Sequence, residues 1–303
     1  MTAGREGDAK VTVAVMTHNR REEVLRTLEH MTALPDAAPI IVVDNASADG
    51  TAEAVATHHP QVLLLRSRAN LGAVARNRAV EHVDTPYVAF CDDDVRWQPG
   101  ALSRAAELLD RYPALAAVTG RCLVEPDLAE DPLTPEMRES PIPAPPWLPG
   151  PAVLGGLAGT TMFRTAPFRE VGGYSTRLWF CGEEELLSID LAARGWWTCF
   201  AEDVLVHHSP SEARDSGWRR RIGIRNTLWT TWLRRPWRSV LRRSAAVLSS
   251  SPKDAPTLRA VAEAARGLPW VLRERQVVPA RVERDLCLLE EPQRNSRARR
   301  YVG

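Results

Sequence analysis

The first half of the chain alternates short apolar runs with stretches in which apolar residues recur at helical spacing. Short and nearly uninterrupted apolar runs are typical of buried strands in a parallel sheet. The stretches between them repeat apolar residues every three to four positions, which is typical of helices. The four apolar runs occupy residues 11–16, 40–43, 62–65 and 88–91. Strands that alternate with helices in this way predict an α/β fold with a mostly parallel central sheet and right-handed crossovers.

Polar residues follow three of these strands directly. They are Thr17-His18-Asn19-Arg20 after the first strand, Asp44-Asn45 after the second, and Asp92-Asp93-Asp94 after the fourth. Ligands of open α/β sheets bind at the carboxyl ends of the strands, so this edge is the predicted site. Three adjacent carboxylates need a neutralising cation, and hard oxygen ligands at this density favour Mg²⁺ or Mn²⁺ over zinc. The alternative is a solvated acidic turn that caps a helix starting near Pro99.

A proline-rich segment interrupts the pattern between residues 125 and 151. It contains nine prolines, so little regular structure is expected there. The segment is predicted to be either an ordered excursion or a mobile flap near the site.

A second acidic group, Glu183-Glu184-Glu185, starts a helix that is predicted to stop at Gly195. Carboxylates in a first turn can be simple caps, because the helix dipole stabilises them there. Three such acids beside Trp179 also suit a catalytic site. Further on, a short apolar strand ends at His207-His208, and a histidine in that position is either a buried core residue or a ligand.

From residue 210 onward the chain is helical in pattern and basic in composition. This part carries 21 Lys/Arg against 9 Asp/Glu, which leaves 18 against 29 for the preceding residues. Its tryptophans and arginines suit either a solvated face over a packed core or peripheral contact with an anionic membrane. Nucleic-acid binding is not expected, because the body is acidic and contains no recognised base-reading motif.

These patterns predict four regions. They are a flexible N-terminus (1–10), a catalytic domain (11–210), a basic helical extension (211–290) and a disordered tail (291–303). No apolar run approaches the roughly 18 residues of a membrane helix and no signal-peptide core is present, so a cytoplasmic location is expected, with the membrane's inner face as a peripheral site. The five cysteines lack paired spacing, which argues against a zinc site and a disulfide framework.

Taken in order, these motifs resemble those of the family-2 glycosyltransferases. The resemblance rests on Thr17-His18-Asn19-Arg20, the 43–51 loop, Asn70-Leu71-Gly72 with Ala75-Arg76-Asn77, and the Asp-x-Asp motif at 92–94. It covers roughly residues 10–210. It implies a GT-A fold, a Rossmann-like mostly parallel sheet flanked by helices, and inverting transfer from a nucleotide sugar.

The resemblance also implies how the donor and its metal are held. Asp94 would ligate Mg²⁺ or Mn²⁺ together with Asp92 and His207, although His208 could replace His207. Asp92 and Asp93 would also reach the ribose, the sugar or metal-bound water. The remaining donor-binding residues implied are Thr17, Asn19, Asp44 and Arg76, with Asp44 accepting a hydrogen bond from a pyrimidine imide or a ribose hydroxyl. A UDP- or dTDP-sugar is the expected donor.

For the acceptor side, the resemblance implies a general base at Glu184, eleven residues before Gly195, with Glu183 beside it. The family usually has aspartate there, and the extra methylene of glutamate shifts the carboxylate by roughly 1.5 Å, which leaves open which of the two is the base. Trp179 would stack on the acceptor. With no transmembrane helices and no Gln-x-x-Arg-Trp stretch, transfer of a single sugar is expected, to a glycan, a lipid-linked sugar or a small molecule.

Two other functions fit parts of the pattern. One is another metal-dependent phosphate enzyme, either a nucleotidyltransferase or a phosphatase with Asp92 as its nucleophile. The first strand lacks a glycine-rich phosphate loop, and the acids follow the fourth strand rather than the first, so both are less favoured. The other is a non-catalytic nucleotide-sugar-binding protein, against which the complete acidic groups argue.

Overall fold

The structure, a computed structural model, describes residues 9–210 and 216–296. In these ranges a nine-stranded sheet has the order β3-β2-β1-β4-β8-β6-β9-β5, and β7 pairs with β6 outside this path. The strands are β1 (Val11–Thr17), β2 (Ile40–Asp44), β3 (Leu63–Arg66), β4 (Tyr87–Asp92), β5 (Val95–Trp97), β6 (Leu115–Val124), β7 (Ala129–Glu130), β8 (Thr161–Arg164) and β9 (Trp197–His208).

Helices cover both faces of this sheet. They are α1 (Arg21–Thr32), α2 (Thr51–His58), α3 (Ala75–Val80), α4 (Ala101–Arg111), α5 (Leu133–Arg138), α6 (Thr165–Glu170), α7 (Glu183–Ala193), α8 (Ser216–Arg234), α9 (Trp237–Ser250), α10 (Ala255–Arg266), α11 (Leu268–Glu274) and α12 (Ala280–Asn295). One face of the sheet packs against α1 and α4, and the other packs against α3, α6 and α7. Neighbouring strand residues face opposite ways, so Val13 joins the first core and Ala14 joins the second.

The first four strands confirm the α/β prediction. β1 lies between β2 and β4 and is parallel to both, and β2 is parallel to β3. The remaining half is mixed: β8 is antiparallel to β4 and β6, while β6 and β9 are parallel. The acids at 92–94 do not lead straight into a helix, because the short strand β5 follows them and pairs antiparallel with β9.

The proline-rich segment is more regular than its composition predicts. It contains β7 and the six-residue helix α5, so the expectation of little regular structure is wrong for residues 129–138. Met137 is buried against Val153 and Phe200, which anchors α5 to the sheet.

The C-terminal helices form the predicted extension and pack directly on α7. Leu186 belongs to a core shared with α8, α10 and α11, while Ile189 belongs to a core shared with α12. The pattern over 258–272 forms two helices rather than one, because Pro269 has no N–H to continue the hydrogen bonds of α10 and instead lies in the first turn of α11. None of the described helices is long and apolar enough to cross a membrane.

The last helix continues beyond the predicted start of the C-terminal tail. Helix α12 continues to Asn295, so a disordered tail starting at residue 291 is wrong for 291–295, where the helix continues past Pro292. Residues 297–303, most of the predicted flexible N-terminus (1–8) and residues 211–215 lie outside the described ranges.

Candidate functional site

The carboxyl ends of β1, β2 and β4 meet at one edge of the sheet. Strand register places Thr17 beside Asp44, and Met16 beside Asp92. Asp93 and Asp94 form the turn between β4 and β5. The structure therefore brings the predicted donor-binding residues of three separate motifs together, as parallel strands require.

Asp93 is the most tightly held of the three acids. Its carboxylate accepts a hydrogen bond from the Thr17 hydroxyl at 2.9 Å and one from Arg20 at 2.8 Å, and its backbone carbonyl accepts one from Thr27. Burial raises the pKa of Asp93 to about 7, against the opposing effect of the Arg20 charge. Asp93 thus fixes the turn and Arg20 rather than presenting a carboxylate to solvent.

Asp94 lies between a cation and a histidine. Arg20 donates to one of its carboxylate oxygens at 2.7 Å, and His208 Nε2 lies 3.6 Å from the other. Burial would raise the pKa of Asp94, but the hydrogen bonds from His208 and Arg20 outweigh it and lower the pKa. Asp94 is therefore ionised and faces an imidazole.

The structure corrects the predicted metal histidine. His207 Nδ1 lies 3.2 Å from Glu125, on the other side of β9 from Asp94. Consecutive side chains of a strand point to opposite faces, so only one of the two histidines can face Asp94, and it is His208. Glu125 also accepts a hydrogen bond from Ser209 and pairs with Arg96, so the His207 side chain belongs to a structural network.

Asp92 is the acid that remains most accessible, with about a third of its side chain exposed (32%). It pairs with Arg76, which is fully buried on α3. The backbone of Gly159 packs against the same carboxylate, and a Cβ there would lie 3.0 Å from Asp92 Oδ2. Arg76 is thus placed by Asp92 within the site rather than reaching out towards a base.

The pocket at the end of β2 contains an unsatisfied acceptor. Asp44 is 3% exposed; one carboxylate oxygen accepts from the Ser47 backbone at 3.3 Å, and the other has no partner among the described residues. Unpaired buried acceptors are rare, so this oxygen suits a ligand donor. Asn19 instead braces the loop: its side chain accepts from the Ala48 backbone and its N–H donates to Ser47.

The two candidates for the general base, Glu183 and Glu184, differ in burial. Glu183 is 3% exposed, while Glu184 is half-buried and lines a cavity. Burial, reinforced by the Glu184 charge, raises the pKa of Glu183 to about 8. Burial thus favours the protonated form of Glu183, whereas Glu184, half-buried and lining the cavity, is the more accessible carboxylate.

Several buried polar atoms near Glu183 lack partners among the described residues. They are Glu183 Oε2, Tyr174 Oη, and Nε and Nη1 of Arg76. The guanidinium of Arg76 lies over the Tyr174 ring, 5.6 Å from its centroid. Burial would lower the pKa of Arg76, but the charges of Asp92 and of both glutamates raise it. Arg76 thus links the acid triplet to the start of α7.

A cavity of about 150 Å³ opens beside Glu184. Five segments form its walls: the proline-rich excursion, residues 153–156, the start of α7, α8 and α12. Aliphatic side chains dominate its lining, and Glu136, Glu184 and Glu185 supply the carboxylates. The aliphatic lining residues are Leu133, Met137, Val153, Leu154 and Leu289.

Trp179, predicted as an acceptor platform, has a different position. Its indole packs on Gly72 and donates to the Asn70 carbonyl at 3.2 Å, and its own carbonyl accepts from the Ala73 backbone at 2.7 Å. It does not line the cavity described above. Trp179 therefore braces the 70–73 loop, which Asn45 also holds through Asn70.

The residues around Asp94 fit a divalent cation in their chemistry. Asp94 and His208 offer a carboxylate oxygen and an imidazole nitrogen that face each other, and Asp92 is the accessible acid of the triplet. These are ligand types that Mg²⁺ and Mn²⁺ accept. Arg20 already bridges two of the acids, Asp93 and Asp94. Its role was not predicted from the sequence, although a basic residue at a neighbouring strand end can signal a partner for three adjacent carboxylates.

Comparison with known proteins places this site in a family. The sequence model of the family described as glycosyl transferase family 2 matches residues 12–171, more than half of the chain. The chain is similar to the N-acetylglucosaminyl-diphospho-decaprenol L-rhamnosyltransferase of Mycobacterium tuberculosis, with 26% identity over 272 residues, which covers 75% of this chain and 87% of that relative.

Two solved structures share the fold. The mannosyltransferase PcManGT from Pyrobaculum calidifontis, solved with GDP-Man and Mn²⁺, has a TM-score of 0.58 and 21% identity, covering 92% of this chain and 74% of that one. TarS of S. aureus has a TM-score of 0.61 and 16% identity, covering 96% of this chain and 54% of that one. The predicted GT-A architecture is confirmed by these neighbours.

Proposed function

The chain belongs to glycosyl transferase family 2 and is a glycosyltransferase, and on this premise we propose that it moves one sugar from a nucleoside-diphosphate sugar to an acceptor hydroxyl with inversion. The observation that carries the proposal is the position of Arg76. It pairs with Asp92 at the donor edge, and the charges of Glu183 and Glu184 at the start of α7 help to raise its pKa. Donor-binding and proton-accepting groups thus border one site.

On the donor side, the unpaired oxygen of Asp44 would accept from the base or the ribose, and Thr17 would line the same pocket. Asp94 and His208, with Asp92, would hold Mg²⁺ or Mn²⁺. When bound, this ion supplies Lewis-acid neutralisation of the leaving diphosphate. Arg20 and Arg76 place two further positive charges at the same edge.

On the acceptor side, Glu184 would take the proton of the acceptor hydroxyl as that oxygen attacks the anomeric carbon. The new carbon–oxygen bond forms opposite the breaking bond to the diphosphate, which inverts the configuration, and the transition state has oxocarbenium character. Glu183 would remain protonated and hold the turn. Glu184 lines the cavity and Glu183 is buried behind it, with a pKa that burial raises, which favours Glu184 over Glu183.

The acceptor would enter through the cavity beside Glu184. Its aliphatic walls suit an amphipathic acceptor better than a purely polar one. The Mycobacterium tuberculosis relative is named for a decaprenol-linked acceptor, and a lipid-linked acceptor is the class we propose here. The donor is a UDP- or dTDP-sugar by the same proposal.

A lipid-linked acceptor requires contact with a membrane surface, and the C-terminal helices carry a suitable one. Four strongly exposed apolar residues on α9, α10 and α11 are each followed by an exposed arginine, and we propose that they form one surface, termed the apolar–arginine surface. The pairs are Trp237-Arg238, Leu241-Arg242, Leu258-Arg259 and Leu272-Arg273. Apolar side chains can enter the interface while arginines meet lipid phosphates, so we propose peripheral docking at the cytoplasmic face of the membrane.

Vesicle sedimentation tests this docking. The double variant Leu241→Glu, Leu258→Glu should lose binding to phosphatidylglycerol vesicles by about tenfold or more, because each change puts a charge where an apolar chain would be buried. The matched control is Leu63→Glu, Leu128→Glu, which alters two exposed leucines outside this surface. Equal binding of the two variants would rule the docking surface out.

Thermal denaturation with nucleotide diphosphates tests the central proposal. One nucleotide should stabilise the wild type only with Mn²⁺ present, by about 2.7 kcal/mol at a hundred times its dissociation constant. Asp94→Asn should lose this response, while the exposed Asp127→Asn should keep it. Equal responses of Asp94→Asn and wild type would contradict a metal–diphosphate site at the acid triplet.

A further inference from the structure

The end of β9 lies beside two side chains that the proposed mechanism does not use, Cys122 and Asp131. Cys122, Asp131 and His208 each present one potential ligand atom, and these three atoms lie within 4.8 Å of one another. Among the described residues this is the set of three that converges as a metal-binding group, whereas the acid triplet does not converge in that way. Cys122 is buried, and the other two residues are half-buried.

The sheet explains why residues so distant in sequence meet. β6 and β9 are parallel, with Cys122 beside Val206 and Val124 beside His208. Cys122 and His208 are therefore two positions apart on the same face of the sheet. The Asp131 backbone N–H donates to the Cys122 carbonyl at 3.0 Å, which places Asp131 directly beside the thiol.

We propose that Cys122, Asp131 and His208 form a binding site for a thiophilic divalent cation, Zn²⁺ above all. A thiolate, an imidazole and a carboxylate are ligands that zinc accepts, and three protein ligands leave a fourth position for water. Zinc bonds of about 2.0 to 2.3 Å can be completed from this arrangement by small side-chain movements, because the three ligand atoms already lie within 4.8 Å of one another. On binding, the Cys122 thiol releases its proton to solvent and its sulfur becomes the metal ligand.

This site shares His208 with the cation site proposed at Asp94. His208 Nε2 lies 3.6 Å from Asp94, so an ion held by Cys122 and Asp131 would withdraw the imidazole from Asp94 or occupy the space beside it. Zn²⁺ is therefore expected to compete with Mn²⁺. This competition rests on the proposed function, whereas the binding of the thiophilic cation itself does not.

Cobalt absorption tests the site on the full-length protein. Co²⁺ occupies zinc sites, and a cysteine thiolate bound to Co²⁺ produces a charge-transfer band in the near ultraviolet. Titration with Co²⁺ should produce this band with one equivalent bound, and Zn²⁺ should remove it. No band in the wild type would overturn the proposal.

Two variants and one control assign the ligands. Cys122→Ser should abolish the band, and Asp131→Asn should weaken Co²⁺ binding at least about tenfold. Cys287→Ser is the control, because Cys287 is an exposed thiol near the carboxylate of Glu283 and could bind cobalt on its own. A band that persists in Cys122→Ser, disappears in Cys287→Ser, or is unaffected by Asp131→Asn would refute the three-ligand site.

The nucleotide response separates this inference from the proposed function. Cys122→Ser should still be stabilised by a nucleotide diphosphate with Mn²⁺, because Asp94 and His208 remain. If neither protein responds to nucleotide but the cobalt band depends on Cys122, the cation site stands while the proposed function fails.

Discussion

Replacing Glu183 by glutamine should remove a specific pH dependence of stability. Burial raises the pKa of Glu183 from 4.5 to about 8. The stability that its protonated form contributes is fully present below pH 4.5 and is lost as the pH rises through about 8, because the unfolded chain releases the proton first. Glutamine resembles the protonated acid in shape and does not titrate. The variant should therefore gain stability relative to the wild type as the pH rises.

The magnitude follows from the two pKa values. One proton difference changes the free energy of unfolding by about 1.4 kcal/mol per pH unit, and an interval of about 3.5 units sets an upper value of about 5 kcal/mol. Asp93 also has a raised pKa and contributes a slope of the same sign in the wild type. Only the difference between variant and wild type therefore reports on Glu183.

Urea unfolding at several pH values between 5 and 8.5 measures this difference. The free energy of unfolding of Glu183→Gln should rise steadily relative to that of the wild type across that range. Glu185→Gln is the matched control, because Glu185 lies in the same turn and is half-buried, and its gap from the wild type should not follow this course. A constant gap for Glu183→Gln from pH 5 to 8 would refute the protonated state and reopen Glu183 as the base.

Three further changes test the site. Glu184→Gln should lower kcat by about 100- to 10,000-fold in a transfer assay, because a general base contributes that much, while Glu22→Gln, an exposed glutamate on α1, stays active; equal activities would contradict the assignment. Arg20→Ala should destabilise the metal-free protein by about 3–5 kcal/mol in urea unfolding, since it strands two buried carboxylates, and Mn²⁺ should restore part of the loss. An unchanged midpoint would show that the pairing is not needed. Gly72→Ala should cost about 1–3 kcal/mol, because the residue has φ +60° and its new Cβ would lie 2.9 Å from the Trp179 ring, and an unaltered melting temperature would contradict that contact.

The parallel half of the fold was predictable because its signals are local. β1, β2 and β4 are buried on both faces and appear as apolar runs, and each ends in polar residues. By contrast, β5 has three residues with an arginine at its centre, so it has no readable period. The insertion of β8 between β4 and β6 depends on long-range pairing that no local pattern encodes.

The residue types of the candidate site were predictable from the sequence, but the directions in which their side chains point were less so. The position of the acids after β4 follows from the pattern, whereas the roles of Glu183 and Glu184 came from the family resemblance and stay a prediction. The choice between His207 and His208 depends on the register of β9, which shifts against β6 between Gly120 and Arg121. A one-residue shift exchanges the two faces of a strand, and sequence spacing does not report it.

Separation of the cavity walls from the donor edge has an evolutionary consequence. The wall that α12 contributes lies at the far end of the chain from β1, β2 and β4, and it reaches the cavity through Leu289. Under the proposed function, mutations there would reshape what the cavity accepts without touching the residues proposed to hold the nucleotide. A lineage would then diversify its products through changes in α12, and recombination that exchanges this helix would transfer acceptor choice between paralogues.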